Sequence, residues 1–185
     1  MIIGLAGKAG SGKDEVAKIL IDLYGYKRIA FADAIRDALY ELNPLVADRL
    51  RVTDLVDEYG WDFAKKNPEV RRLLQIFGTE VGRKQFGEDV WVEKVIFDLD
   101  IGDKVVITDV RFGNEHYAIK WNHGEVWRVE RPNLEPVADH ISEHALDGWE
   151  FDRVIKNAGS LDDLVELVAE AMAHQSLLSA KRFRK

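Results

Sequence analysis

The chain has 185 residues, enough for one domain with a substantial core. Its 46% hydrophobic and 32% charged content is ordinary for a globular protein, and its net charge of -7 argues against a nucleic-acid polymer as partner, so any phosphate it binds must be met by cations gathered locally. The absence of cysteine excludes disulfides and thiolate metal sites and fits a reducing compartment. The start MIIGLAGKAG lacks the character of a signal peptide and nothing approaches the apolar length of a membrane span, so the expected location is the cytoplasm, with no membrane partner.

In chain order, Ile2 to Ala6 reads as a buried strand leading into glycines, and Asp14 to Tyr24 has helical apolar spacing. A second strand is expected over Arg28 to Ala32, with Asp33 capping a helix that runs to about Leu42. Leu45 to Gly60 reads as irregular or weakly helical. Pro68 opens a strong helix towards Val81, and another helix starts near Asp89. Val105 to Ile107 is a β-branched central strand, Asn114 to Trp121 a helix and Glu125 to Val129 a further strand. Asn133 to Asp139 is a proline-bearing loop, Arg153 to Ile155 is the last strand, and Ser160 caps a helix through Leu178. Strands alternating with helices predict an α/β fold with a mostly parallel sheet, formed by a single domain.

Gly7-Lys8-Ala9-Gly10-Ser11-Gly12-Lys13 matches the first seven positions of G-x-x-x-x-G-K-[ST] between a strand and a helix. Glycines let the backbone curl so that N–H groups face phosphate oxygens, the helix offers its positive end, and Lys13 reaches the terminal phosphates of a bound triphosphate. Asp14 stands where Ser or Thr normally reaches Mg²⁺. It either binds the metal, directly or through water, or favours the helix start electrostatically. Lys104-Val-Val-Ile-Thr-Asp109 is an apolar strand ending in a carboxylate, a place near the metal or the acceptor in phosphate-loop proteins.

Transfer between two anions needs several cations, and the candidates are Arg36, Arg72, Arg83, Arg111, Arg128 and Arg131. Arg72, Gln75 and Thr79 are spaced by three and four and so share a helix face, which Arg83 continues. Trp91 is either a base-stacking ring or a core residue. His140-Ile-Ser-Glu-His144 fits the H-x-x-E-H pattern of a zinc hydrolase, but no third-ligand motif follows it and the phosphate loop would go unexplained. A polar segment over a nucleotide is the plainer reading.

The segments GKAGSGKD at 7–14, FADAIR at 31–36, LLQIFGTEVGR at 73–83, ITDVRFGNE at 107–115, VWRVERP at 126–132, DHISEH at 139–144 and VIKNAGSLDDL at 154–164 resemble deoxynucleoside monophosphate kinases of the bacteriophage type. The likeness runs to about residue 170, and the DVRF-x-NE segment is its most specific element. Gly113 stands where the family leads one to expect proline, which would loosen that turn. The resemblance implies a three-layer P-loop NTPase fold, with a core of residues 1–32, 100–130 and 150–180. It also implies a helical acceptor-binding region near 33–99 and a lid near 131–147. It implies ATP phosphates on Gly10, Ser11, Gly12, Lys13 and Asp14, while the residues themselves offer Asp14 and Asp109 as Mg²⁺ ligands. It places Asn157 and Gly159 in a turn like the adenine-side loop of dephospho-coenzyme A kinases, which otherwise reads as a helix-capping loop. The acceptor would meet Asp33, Arg36, Arg72, Gln75, Thr79, Arg83, Trp91, Asp109 and Arg111, and Arg128 and Arg131 would approach the transferring group. The expected function is phosphoryl transfer from ATP to a deoxynucleoside monophosphate, in the host cytoplasm for a phage-encoded enzyme. Rival readings are another small phosphorylated acceptor (phosphomevalonate or dephospho-coenzyme A) and a non-enzymatic ATP-binding module. Monomer and homodimer both stay open.

Overall fold

The computed structural model describes residues 1–100, 102–132, 134 and 144–182, with side chains described through residue 174. Two compact units divide the chain: residues 1–29 with 100–185, and residues 30–99.

The first unit is built on a five-stranded parallel sheet. Its strands are β1 (Ile2–Ala6), β2 (Lys27–Ile29), β5 (Val105–Val110), β6 (Glu125–Glu130) and β7 (Arg153–Lys156), in the spatial order β2-β5-β1-β6-β7. β1 pairs in parallel with β5 on one side and β6 on the other. Strands buried on both faces explain the near-continuous apolar runs of β1 and β5. Ile3 and Leu5 join the core that holds α1 (Lys13–Tyr24) and α7 (Leu161–Arg182) against one face. On the opposite face lies α6 (Gly113–Trp121), where a side chain at Gly4 would come within 2.5 Å of Ile119. Helices on both faces of a parallel sheet make the three-layer α/β architecture expected of the chain.

The second unit holds a two-stranded antiparallel hairpin, β3 (Leu45–Ala47) and β4 (Leu50–Arg51), with α2 (Phe31–Leu42), α3 (Val52–Ala64), α4 (Pro68–Gln75) and α5 (Val90–Phe97). A π-helical segment, Ile76–Phe86, joins α4 to α5. Leu39, Val46, Val52, Leu55, Ala64 and Val70 form its core. Asn67 caps α4, its side-chain oxygen accepting from the N–H groups of Glu69 and Val70 at 2.9 and 3.3 Å, ahead of Pro68.

Four expectations differ from what is seen. The strand expected to reach Ala32 ends at Ile29, because buried Phe31 already begins α2; Asp33 then lies inside the first turn and its N–H reaches the Ala30 carbonyl at 3.0 Å. The stretch from Leu45 to Gly60 is ordered as a hairpin and a helix. The Asp54 carboxylate accepts from the Arg51 N–H at 2.7 Å to start α3, which turns sharply at Gly60 (φ 75°). The helix expected to run smoothly towards Val81 changes to π-helix at Ile76. Leu161–Arg182 outruns its expected end at Leu178. Among the described residues no helix is long and apolar enough to cross a membrane.

Leu20 lies fully buried between α1 and the sheet. Leu20→Ala should lower stability by roughly 3 kcal/mol, read as a shifted urea midpoint by far-UV circular dichroism.

Candidate active site

In the first unit β1 ends at Ala6, and the chain turns through Gly7, Gly10 and Gly12 at φ 139°, 78° and 101°. Two of these positions admit nothing larger. A Cβ at Gly7 would stand 2.3 Å from the Val129 carbonyl oxygen, and one at Gly12 would stand 2.3 Å from the Asn157 amide nitrogen. Lys13 folds back along the loop, its Nζ donating to the carbonyls of Gly7 and Lys8 at 2.7 and 2.8 Å. Ser11 is buried, and its Oγ finds no hydrogen-bond partner among the described residues. Asn157 anchors the loop from β7, donating from Nδ2 to the Ser11 carbonyl at 3.0 Å while its own N–H reaches the Glu130 carbonyl at 2.8 Å. Gly159 follows because any Cβ there would meet the Asp163 carboxylate, which accepts from the N–H and Oγ of Ser160 at 2.7 Å each at the head of α7. The turn is therefore both a helix cap and the neighbour of the phosphate loop.

Two glycines without room for a Cβ, a lysine laid over the loop and a buried hydroxyl without a partner among the described residues form a cradle suited to phosphate oxygens. Asp14 is exposed in the first turn of α1. Asp109, half-buried, precedes Val110, which pairs with Ala6, so it stands at the same sheet end as the loop. No group of three His, Cys, Asp or Glu among the described residues could hold a metal ion. Mg²⁺ on a nucleotide needs only one or two carboxylates beside the phosphates, and Asp14 and Asp109 are donors of that kind.

Arg128 pairs with Ala6 across the β1–β6 ladder. Its Nε lies 3.1 Å from Glu130, its guanidinium donates to Asp147 and the Leu146 carbonyl at 3.3 Å each, and it lies 5.3 Å from the centroid of Phe151. His144, 3.0 Å away, and then Arg128 hold the Asp147 carboxyl below the usual aspartate range. Arg128 and Arg131 border a cavity of about 450 Å³ together with Gly7, Lys8, Ser11, Leu134 and Lys156. His140 to Glu143 and most of the expected lid, residues 133 and 135–143, lie outside the described residues.

Arg111 is exposed just beyond β5, and its backbone is fixed by buried Glu115. The Glu115 carboxylate accepts from the N–H groups of Arg111 and Phe112 at 2.6 and 3.0 Å. Gly113 does not loosen this turn: the Trp149 ring lies where a Cβ would be, 2.6 Å away at its nearest atom.

In the second unit, Arg36 donates to Asp33 at 2.8 Å. Arg36 and Gln75 line a cavity of about 510 Å³ with Ala32, Ile35, Asp62, Lys65, Lys66, Arg71 and Leu74. Arg72 is not among its walls; it forks onto Glu69 at 2.6 and 2.8 Å, one turn back on the exposed side of α4. The shared face expected for Arg72, Gln75, Thr79 and Arg83 assumes 3.6 residues per turn, and the π-helical segment that carries Thr79 and Arg83 breaks that spacing. Thr79 is exposed and Arg83 half-buried. Trp91 packs inward: its Nε1 donates to the Gly78 carbonyl at 2.9 Å, and a Cβ at Gly82 would meet its ring at 2.5 Å.

Residues 46–168 match the family model for deoxynucleotide monophosphate kinases. The chain belongs to the deoxynucleotide monophosphate kinase family. That match starts after the phosphate loop, so the cradle at Gly7 to Asp14 is a separate observation pointing to the same chemistry. A protein of Acanthamoeba polyphaga mimivirus, provisionally named a deoxynucleotide monophosphate kinase, is 28% identical over 97% of this chain and 100% of its own. The deoxynucleoside-5'-monophosphate kinase of Escherichia phage T5 is 28% identical over 62% of this chain and 70% of its own. Among solved structures, a shikimate kinase from Aquifex aeolicus matches with TM-score 0.47 and 14% identity over 96% of this chain and 99% of that one.

Sequence reading passed over Glu115, Asp147, Lys65 and Arg71 in this family member. The signal for Glu115 was present, since an acidic residue at the third position of a helix is a capping pattern. Glu115→Ala should cost roughly 2 kcal/mol by leaving two N–H groups without their acceptor, read by chemical denaturation. Trp91→Ala should cost roughly 2–3 kcal/mol, since the ring is half-buried and braces the π-helical segment. Unchanged stability with a raised KM for the acceptor would instead assign the ring to base stacking.

Proposed function

We propose that this chain transfers the γ-phosphoryl group of ATP to the phosphate of a deoxynucleoside 5'-monophosphate, giving the diphosphate. The observation that carries the reading is the glycine cradle with Lys13 at the end of the central strand, in a chain of this family. Gly10, Ser11 and Gly12 hold the donor's phosphates with their backbone, and Lys13 leaves its loop carbonyls for the terminal phosphates. Asp14 and Asp109 hold Mg²⁺, directly or through water, and the bound ion supplies charge neutralisation on the donor. Arg128 and Arg131 stabilise the transferring group from the cavity wall, and Arg111 binds acceptor oxygens. The acceptor phosphate is already an anion, so the site needs no strong general base. A reaction that draws on ATP belongs in the cytoplasm.

The test is a coupled ADP-release assay with ATP and Mg²⁺ against dTMP, dGMP, dCMP and dAMP, their ribose counterparts, phosphomevalonate and dephospho-coenzyme A. Turnover with at least one deoxynucleotide is expected, with kcat/KM falling roughly 10²–10³-fold in Lys13→Ala. Turnover only on phosphomevalonate or dephospho-coenzyme A would replace the acceptor, and none at all would make the chain a binding module.

A further inference from the structure

Two cavities of the first unit share a wall. The larger, of about 450 Å³, lies along the glycine turn and reaches Arg131, Leu134 and Lys156. The smaller, of about 20 Å³, has room for little more than one water-sized group and reaches Val110, Arg111, Asp147 and Phe151. Gly7, Lys8 and Arg128 line both. Gly7 has no side chain, and Arg128 is assigned to the transferring group. Lys8 is the shared residue left without a role. The phosphate-loop pattern does not require a lysine there, because its second position is free.

The backbone of Lys8 is fixed. Its carbonyl accepts from the Lys13 Nζ at 2.8 Å and from the Ser11 N–H at 3.2 Å. The half-buried side chain therefore starts from an ordered point, yet its ammonium meets no carboxylate or other acceptor among the described residues. Its cationic neighbours differ in this respect. Arg128 stands between Glu130 and Asp147, and Lys13 rests on two loop carbonyls. Each must leave protein partners to meet an anion, whereas Lys8 gives up only water. A lone lysine at a surface is ordinarily solvated. Lys8 instead stands on the boundary between the loop that takes the donor and the cleft that holds Arg111, which a migrating phosphoryl group has to cross.

We propose that Lys8 is a catalytic residue whose ammonium contacts the oxygens of the γ-phosphoryl group as it passes from donor to acceptor. This rests on the kinase reading and adds a second loop lysine to it. In the step, an oxygen of the acceptor phosphate forms a bond to the γ-phosphorus. The bond from that phosphorus to the β,γ-bridging oxygen breaks, and its electron pair leaves with ADP; no proton moves. Charge on the equatorial oxygens then lies between the two nucleotides, where a compact point charge on a flexible stem can follow it. An interaction gained mainly in the transition state raises kcat and leaves substrate affinity nearly unchanged.

The test compares wild type with Lys8→Met, Lys8→Arg and Lys18→Met, the last removing an exposed lysine of α1 as a control for net charge. Thermal unfolding midpoints report whether each variant is folded. With ATP, Mg²⁺ and the deoxynucleotide that wild type uses best, kcat should fall roughly tenfold to a hundredfold in Lys8→Met. KM for both substrates should stay within about threefold. Lys8→Arg should keep more of the rate than Lys8→Met, and Lys18→Met should match wild type. Calorimetric titration supplies a readout independent of turnover. Lys8→Met should bind ADP as wild type does, but bind ADP with aluminium fluoride, a stand-in for the transferring group, about tenfold more weakly. A kcat within about twofold of wild type in folded Lys8→Met would overturn the proposal and leave the kinase intact. An unchanged kcat with a raised KM for ATP or for the monophosphate would also overturn it, making Lys8 a group that binds the ground state. No turnover of any deoxynucleotide by wild type would sink the kinase reading and this assignment with it.

Discussion

The parallel pairing of β1 between β5 and β6 decides what stands beside the phosphate loop. Ala6 is the last residue of β1, and its ladder partners are Val110 and Arg128. Asp109 and Arg111 flank the first of these in sequence, so one carboxylate and two arginines come to the same sheet end as Gly7 to Asp14 without further packing. Parallel strands all point the same way, so their carboxyl ends, and the residues just past them, collect along one edge. A one-residue slip of β6 would turn Arg128 to the opposite face and put Val129 or Trp127 in its place. Burial of Trp127 and Val129 in the main core is what prevents that slip.

Charge at this edge is balanced locally. Arg128 stands among Glu130, Asp147 and the ring of Phe151, a setting that holds a guanidinium in one place in a chain with surplus negative charge. A lone arginine on a strand end would sample many rotamers, and each would have to be given up on binding an anion. Fixed by two carboxylates and an aromatic face, it gives up less. The same carboxylates compete with an incoming phosphate, so binding there must replace one set of charge-assisted hydrogen bonds with another.

The parts of the molecule legible in the sequence are those determined by neighbours in the chain. Strand, glycine turn, lysine and helix over residues 2–24 follow from a local apolar run and a spacing, and the structure has them at those positions. The parts that misled depend on partners far away. Phe31 falls within the strand expected over Arg28 to Ala32, but it is buried as the first residue of a helix. Arg71 and Arg72 are neighbours with identical side chains, and only packing of α4 tells which one faces the cavity and which meets Glu69. The π-helical segment has no period of its own in the sequence. Trp91, whose ring fills the space over Gly82, is its visible support, and that contact joins positions nine residues apart on separate elements.

Gly113 shows how a departure from a family pattern is absorbed. Proline at the first position of a helix would restrict the backbone by its ring. Glycine there removes that restriction, and by itself it would widen the turn that presents Arg111. Two contacts restore it. Glu115 takes the N–H groups of Arg111 and Phe112, and Trp149 lays its ring against the bare Cα, edge-on to His116 at 5.2 Å and Tyr117 at 5.2 Å. The ring occupies space that a proline would need, so the two solutions exclude each other. Trp149 directly follows the turn that carries Asp147, and its packing on α6 therefore ties the Arg128 contact to the turn that presents Arg111.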